Sequence, residues 1–150
     1  MMYTDLAVDT LRAVGERLQT DLASNLAIPV FFEETQPENV GSEVLEIRLD
    51  GPFIREIANK QYIVTVEVDL LLTTPIYDNI YTRAQMLGIC AEALRTDIPL
   101  LDGDNEQIGC LSTSIPFGGA SKIETVNYGK VHKDRRLLHS AVSTTLFTLI

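Results

Sequence analysis

Two histidines and an aspartate near the end of the chain have the side chains that acid–base chemistry uses. His132, Asp134 and His139 lie close together in the sequence, and strand alternation would send His132 and Asp134 to the same side. No activated Ser or Cys is fixed near them, so a nucleophilic mechanism lacks its first member. Unless a third member comes from elsewhere in the chain, we expect no catalysis here and no enzymatic activity.

Two loop segments resemble ligand-binding loops but lack the required spacing. LDGDNEQIG (101–109) places oxygen-bearing side chains in a row, whereas a Ca²⁺ loop needs alternate ligands, a Gly at the sixth position and a Glu at the twelfth. PFGGAS (116–121) contains a Gly pair without the Lys and Ser/Thr of a phosphate-binding loop. We interpret both as turns.

The cysteines do not indicate a metal site. Cys90 and Cys110 belong to no CxxC motif and to no Cys/His cluster, which is the spacing that zinc sites require. Cys90 lies in the apolar segment GICAEAL, where a thiol acts as a small hydrophobic side chain. The sequence therefore predicts no metal and no cofactor.

Exposed loops offer contacts to a partner instead. The aperiodic loop ETQPENVGSE (34–43) is predicted to be exposed, and an aromatic residue lies in the glycine loop. The basic cluster GKVHKDRR (129–136) is either a solvated turn between two strands or a contact to an acidic partner surface, such as another copy of this chain. The predicted partner-binding residues are Glu38, Asn39, Phe117, Lys130, Lys133, Arg135 and Arg136.

Composition restricts the partners. The chain has 150 residues with 45% apolar side chains and a net charge of −9, which fits one globular domain over 1–150. Dedicated nucleic-acid binders have the opposite charge, so we expect no such role. The sequence also contains no apolar run long enough to span a membrane and no secretory signal at its start, which favours the cytosol.

Two segments have helical periodicity. In the first, Leu11, Val14, Leu18 and Leu22 recur at spacings of three and four, and Asn25 and Pro29 end the pattern. The second is DNIYTRAQMLGICAEALRT (78–96), with an apolar stripe of the same period. Tyr77 and Tyr81, one helical turn apart around the Asp78 cap, are expected to pack in the core or around that cap.

Six segments are predicted strands. Three precede the second helix: 28–34, 44–50 and the long alternating segment YIVTVEVDLLLTT (62–74). Residues 51–60 are interpreted as a turn or a short irregular element. Three more follow: 106–114, 121–131 and 137–150. The order α-β-β-β-α-β-β-β groups strands together, which predicts an α+β fold with a mostly antiparallel sheet of five to six strands packed against two helices.

The final predicted strand, LLHSAVSTTLFTLI (137–150), has no clearly polar face. One side carries Leu138, Val142 and Leu146, and the other carries Ala141 and Phe147. An exposed strand of this kind would invite pairing. Two explanations stay open: the helices of the same chain cover it, or a neighbouring copy covers one face.

This layout resembles the tail terminator proteins of long-tailed bacteriophages. The resemblance lies in TDLAVDTLRAVGERLQTDLASNLAIPVFFE as the opening helix and strand, EVLEIRLD and QYIVTVEVDLLL as the sheet core, YDNIYTRAQMLGICAEALRTD as the helix on that sheet, and RRLLHSAVSTTLFTLI as the closing strand. It covers nearly the whole chain, but it concerns order and residue character rather than an invariant motif.

The resemblance implies a structural virion protein, assembled in the host cytoplasm. Six copies would form a ring on the last ring of the tail tube, stop tube polymerisation and present a docking face to the head connector. DNA would pass through the lumen as cargo, and a negatively charged lumen would repel its phosphates. The loop at 34–43 would become ordered on contact with the tube, and the basic cluster would meet a neighbouring subunit.

Three alternatives remain at this stage, one of which is a cellular adaptor without a role in assembly. Other phage neck and head–tail completion proteins share much of the layout. A small-ligand-binding α+β module would instead have a concave apolar cavity with a few convergent polar groups.

Overall fold

A computed structural model describes residues 3–33, 43–75, 80–115, 118–130 and 137–150, with residues 128–130 and 137 described by their backbone alone. Helix α1 spans Tyr3–Asn25. Val14, Leu18 and Leu22 of its apolar stripe are buried as the periodicity predicts, and Leu11 is partly buried. Thr10 donates its hydroxyl to the carbonyl oxygen of Leu6 at 2.7 Å. This buried hydroxyl therefore has a hydrogen-bond partner within the helix.

Three strands follow α1. Strand β1 spans Val30–Phe32, β2 spans Val44–Ala58 and β3 spans Gln61–Pro75. The interpretation of residues 51–60 as a turn or irregular element is wrong, because β2 continues through them and pairs with β3 as far as Ala58. A β-bulge between Asp50 and Phe53 accommodates the Gly-Pro pair that had indicated a break.

The second half of the chain contains helix α2 (Ile80–Arg95) and four strands. Strand β4 spans Ile98–Leu101, β5 spans Gln107–Leu111, β6 spans Glu124–Lys130 and β7 spans Leu137–Leu149. Three of them correspond to the predicted strands, and β4 is a short addition that pairs with β5 in a separate two-stranded sheet. The α+β class and the predicted order of elements are confirmed.

The main sheet has the strand order β1-β2-β3-β7-β6. The β1–β2 pair is parallel, and the other pairs are antiparallel. The long strands β2, β3 and β7 lie side by side at the centre, as expected for β3 from its regular alternation.

Both helices pack on one face of this sheet. The even-numbered residues of β3 from Val64 to Leu72 are buried, and they form one core cluster with the stripe of α1 and with Cys90 and Leu94 of α2. On β7 the same face buries Val142 and Leu146. The helices thus cover one side of the final strand, and the other side is only partly covered in the described part of the chain.

Candidate assembly surface

The predicted partner-binding residues fall mostly outside the described ranges. The backbone of Lys130 is described: it ends β6, paired with Leu138 of β7. The others lie outside the described residues: Glu38, Asn39, Phe117, Lys133, Arg135 and Arg136. The structure therefore neither groups nor separates them.

A surface that sequence reasoning missed lies on the sheet face opposite the helices. We call it the open face; it holds the odd-numbered residues of β3 from Ile63 to Thr73 and the residues registered with them on β2, β6 and β7. Side chains that are directly opposite on adjacent strands share a face. Its signal in the sequence was the alternation of Thr65, Glu67 and Asp69 along β3.

The middle of the open face carries four carboxylates, which we call the acidic band. Asp50 and Glu67 are directly opposite on β2 and β3. Asp69 pairs with Ser143 on β7, whose hydroxyl donates to the Asp69 carboxylate, and Ser143 pairs in turn with Glu124 on β6. A groove of about 460 Å³ lies along these strands, and Lys122 lines it together with Glu67, Asp69 and Glu124. Like charges directly opposite on neighbouring strands repel, as at Asp50 and Glu67. Arg48, directly opposite Asp69 on β2, and Lys122 supply positive charge beside the band.

One end of the open face is apolar, and the bulge in β2 is responsible. Two β2 residues, Gly51 and Pro52, are accommodated opposite one residue of β3, so Phe53 pairs with Thr65 on the open face. Without the extra residue, alternation would turn Phe53 toward the core. Gly51 has a φ of 108°, a region that favours glycine.

The bulge aligns Phe53 with other apolar side chains. Thr65 pairs on its other side with Phe147 of β7, and the next registered row contains Ile63 and Leu149. Together with Ile115 they form an apolar patch beside a groove of about 470 Å³. Phe53 is 50% exposed and Leu149 is 44% exposed. We call these residues the apolar patch; exposed clusters of this kind mark interaction sites.

Toward the other end of the open face lies a polar cluster around Arg48. Its Nε donates to a carboxylate oxygen of the buried Glu46 at 2.6 Å and lies 4.0 Å from a carboxylate oxygen of Glu33. His139 lines a groove with Arg48. Partial burial lowers the pKa of His139, the positive charge of Arg48 lowers it further, and Glu46 opposes both. Since Arg48 is already paired, the cluster is suited to holding the sheet together.

The beginning of α2 exposes two large apolar side chains. Strand β3 ends at Pro75, which pairs with Leu137 at the start of β7, beside the end of β6 at Lys130. Ile80 and Tyr81, at the beginning of α2, are 62% and 77% exposed. Tyr81 therefore lies outside the core, and Tyr77 lies outside the described residues.

A further groove, away from the open face, lies between α1 and the β4–β5 hairpin. It measures about 330 Å³ and has an apolar floor that includes Ala13, Ile98 and Pro99. Its two arginines are paired within the protein: Arg12 binds Asp9 at 2.7 Å, and Arg17 binds Asp21 at 3.0 Å. Both cations that line the groove are thus already engaged.

The acid-rich segment at 101–109 is a hairpin turn, as predicted. A carboxylate oxygen of Asp102 accepts hydrogen bonds from the backbone N–H groups of Asp104 (2.8 Å) and Glu106 (3.0 Å). Asp102 thus serves the turn itself. Among the described residues, no group of three or more His, Cys, Asp or Glu side chains is placed to hold a metal ion, and no helix there is long and apolar enough to cross a membrane.

Comparisons with known proteins identify the fold only. No family model and no curated protein matches the chain. Eleven solved chains match it. One of them, which carries no functional name, has a TM-score of 0.59, is 16% identical, and aligns over 99% of this chain and 96% of its own. At that identity the likeness shows a shared fold.

Proposed function

We propose that this chain is a structural virion protein of a long-tailed bacteriophage, a ring-forming tail terminator without enzymatic activity. It is assembled in the host cytoplasm and lies at the head-proximal end of the tail tube. There the ring ends tube polymerisation and joins the tail to the head connector.

The open face is the observation that carries this proposal. A sheet with helices on one side leaves the other side to water or to a partner. Here that side combines the exposed Phe53 and the partly buried Phe147 with an acidic band. Exposed aromatic side chains are typical anchors of protein interfaces. The α+β fold and the order of elements agree with the resemblance to tail terminators.

Charge supports DNA as passing cargo rather than as a bound ligand. The chain has a net charge of −9, and phosphates are repelled by a surface of that sign. A ring lined by carboxylates would let DNA slide through its lumen. The tail tube protein and the head connector are the other proposed partners.

Native mass spectrometry across a concentration series, with negative-stain images of the same sample, tests the proposal. We expect hexamers and six-fold rings with a central hole, formed either by the chain alone or on added tail tubes. A matched assay adds the chain to polymerising tube protein and measures tube length, which should stop increasing. Tubes that grow unchanged and carry no rings at their ends would contradict the proposal.

Two other functions predict different outcomes. Another neck or head–tail completion protein would also form rings, but it would leave tube length unchanged. A small-ligand module would use the groove between α1 and β4, and the pairing of Arg12 and Arg17 within the protein weighs against it. Ligand-induced shifts in the amide resonances of 98–105 would favour the module.

A further inference from the structure

We infer that two free copies of this chain bind each other through their open faces, sheet against sheet, about a two-fold axis. The axis crosses the strands at the row of the open face that contains Thr65, where Phe53 and Phe147 are directly opposite it on the two neighbouring strands. The inference rests on the proposed function in one respect: the pair is the form of the chain before assembly, and it separates when a ring forms.

The rows of the open face are evenly spaced on either side of Thr65. On β3 one row contains Ile63, the next Thr65 and the next Glu67, and each step of two residues covers about 7 Å. A two-fold axis that lies between the two sheets and crosses the strands leaves each strand opposite its counterpart but reverses its direction. The Ile63 row of one copy therefore faces the Glu67 row of the other.

This reversal brings opposite charges together. Arg55 is directly opposite Ile63 in its row, and Asp50 is directly opposite Glu67 in its row, with both Arg55 and Asp50 on β2. The Arg55 side chain of each copy thus faces the two carboxylates of the other copy, and the contact occurs twice. The surface is complementary to itself, which is what a two-fold interface requires.

The charged groups that meet are available for such a contact. Arg55, Asp50 and Glu67 are all exposed, and within the described part of the chain none of them forms a salt bridge. Asp50 and Glu67 also repel each other, because they are directly opposite on neighbouring strands. A cation from the second copy relieves this repulsion, and complementary charges fix the register in which two surfaces bind.

The apolar patch supplies the centre of the contact. Phe53 is 50% exposed, and it lines one groove with the partly buried Ile63 and Phe147. Because Phe53 and Phe147 lie in the row that the axis crosses, each faces its own counterpart in the second copy. Sheets that pack face to face lie about 10 Å apart with their side chains interdigitated. An apolar centre with a charged surround is the usual organisation of a protein interface.

The size of the contact suits a reversible pair. The rows from Gln61 to Asp69 extend about 26 Å along β3. Strands β2, β3 and β7, with Ser112 bridged to Phe147 at the far side, are together about 19 Å wide. The contact thus covers roughly 500 Å² of each copy, and a total of about 1,000 Å² lies at the lower end for specific complexes. Pairs of this size form and separate readily, as a form that precedes assembly must.

Analytical ultracentrifugation and native mass spectrometry of the free chain, over a concentration series, test the pair. We expect an equilibrium between monomers and dimers. Phe53→Glu brings two like charges together at the axis and should weaken dimerisation at least about tenfold. Val8→Glu, at a 53% exposed position on α1, is the control. Circular dichroism and thermal melting verify that each variant folds, and Leu149→Glu replaces Phe53→Glu if that variant does not.

Charge reversal tests the register of the two faces. Arg55→Glu should weaken dimerisation, since it places a third carboxylate opposite Asp50 and Glu67 of the second copy. Arg83→Glu on α2 is the matched control, because it changes the net charge equally but lies on the helical side of the sheet. Asp50→Lys/Glu67→Lys should also weaken dimerisation, because its two lysines would face Arg55.

Mixing the two charge variants is the decisive measurement. In a mixed pair, the carboxylate introduced at position 55 of one copy faces the lysines introduced in the other. The unmodified Arg55 of the second copy then faces the unmodified Asp50 and Glu67 of the first. Both contacts of the two-fold pair are thus restored, so the mixture should form heterodimers although neither variant forms dimers alone. Native mass spectrometry separates the species by mass.

The contradicting outcomes separate this inference from the proposed function. A free chain that stays monomeric, or that passes to hexamers without dimers, would overturn the pair, and rings at the ends of tail tubes would then still support the terminator. Dimers that survive Phe53→Glu and Arg55→Glu, or a mixture without heterodimers, would overturn the inferred surfaces. Tail tubes that grow unchanged, beside dimers that respond as expected, would overturn the terminator and leave the pair.

Discussion

Glu46 is a carboxylate buried in a sheet, and Arg48 makes that burial tolerable. The two side chains lie two residues apart on the same face of β2, and the guanidinium donates to the carboxylate at 2.6 Å. A buried charge without such a partner would be costly. Their charges also act on His139, which shares the groove with Arg48.

His139 should titrate below its ordinary pKa of 6.5, because partial burial and the charge of Arg48 both disfavour its protonated form. In a His132→Gln background, NMR would follow this single imidazole. Arg48→Gln should raise the pKa of His139, and Arg55→Gln, on the same strand, is the control. An unchanged pKa in Arg48→Gln would show that burial alone causes the shift.

The lowered pKa of His139 also determines how the free energy of unfolding changes with pH. A histidine whose folded pKa is lowered binds its proton more readily in the unfolded chain, so protonation favours unfolding. We expect the free energy of unfolding to fall as pH decreases through about 6.5, toward the lower folded pKa. His139→Gln should flatten this part of the pH profile in denaturant unfolding. A profile as steep as that of the unmodified chain would assign the dependence to other groups.

The cysteines should react in a fixed order. Burial raises the pKa of Cys90 to about 12, and desolvation with the nearby charge of Asp97 also raises the pKa of the half-exposed Cys110. Thiolate is the reactive form, so alkylation should be slow at neutral pH, accelerate as pH rises, and modify Cys110 first. Mass spectrometry of iodoacetamide-treated protein measures the order. Modification of Cys90 first would indicate that α2 opens.

At the scale of elements, the bulge in β2 decides which side chains leave the core. Strand β2 pairs Asp50 with Glu67 before the bulge and Phe53 with Thr65 after it. The extra residue turns Ile54 inward and Arg55 outward, the reverse of an uninterrupted strand. The position of Phe53 in the apolar patch thus depends on this irregularity.

Gly51→Ala should destabilise the fold by about 1–3 kcal/mol, since residue 51 has a φ that L side chains rarely adopt. A Cβ there would also lie 3.0 Å from the backbone nitrogen of Phe53 and 3.1 Å from the carbonyl oxygen of Thr65. Gly88→Ala is the matched control: a Cβ on this exposed α2 residue meets nothing within 4 Å, so it should stabilise by about 0.5–1 kcal/mol. Denaturant unfolding compares them; equal effects would contradict a special role for residue 51.

Hydrophobic periodicity predicted the long helices and strands, but it failed to predict strand residues near prolines. Helix α1 and strand β3 follow from regular spacing, because their buried stripes run without interruption. Because of Pro52 and Pro99, sequence reasoning missed the second half of β2 and the whole of β4. Pro52 lies at a bulge, and Pro99 lies in β4, which pairs with β5 alone. Both are places where a sheet tolerates proline.

The candidate surface was harder to predict than the strands. Alternation shows that Glu67 and Asp69 share a face, but it cannot show that both helices pack on the other face. Nor could it place Phe53 beside Phe147, since that neighbourhood depends on the bulge and on the β3–β7 register. Sequence reasoning therefore selected loops, where exposure follows from composition.

At the scale of the whole molecule, charge should determine behaviour toward DNA. With a net charge of −9, the chain should not retain duplex DNA even at low ionic strength, where non-specific binders hold it most tightly. Filter binding or fluorescence anisotropy measures this, with a cationic protein of similar size as the positive control. A dissociation constant below about 100 μM would contradict the proposal that DNA only passes through.

The bulge that turns Phe53 outward also has a protective effect. Strand β1 pairs with β2 only over Leu45–Ile47, so in the described part of the chain the outer edge of β2 beyond Ile47 has no strand beside it. Unpaired edges are templates for uncontrolled strand addition and aggregation. Pro52 has no N–H to donate to an added strand, and the bulge interrupts the regular edge. For the proposed ring protein, this protection would keep free copies from aggregating before they assemble.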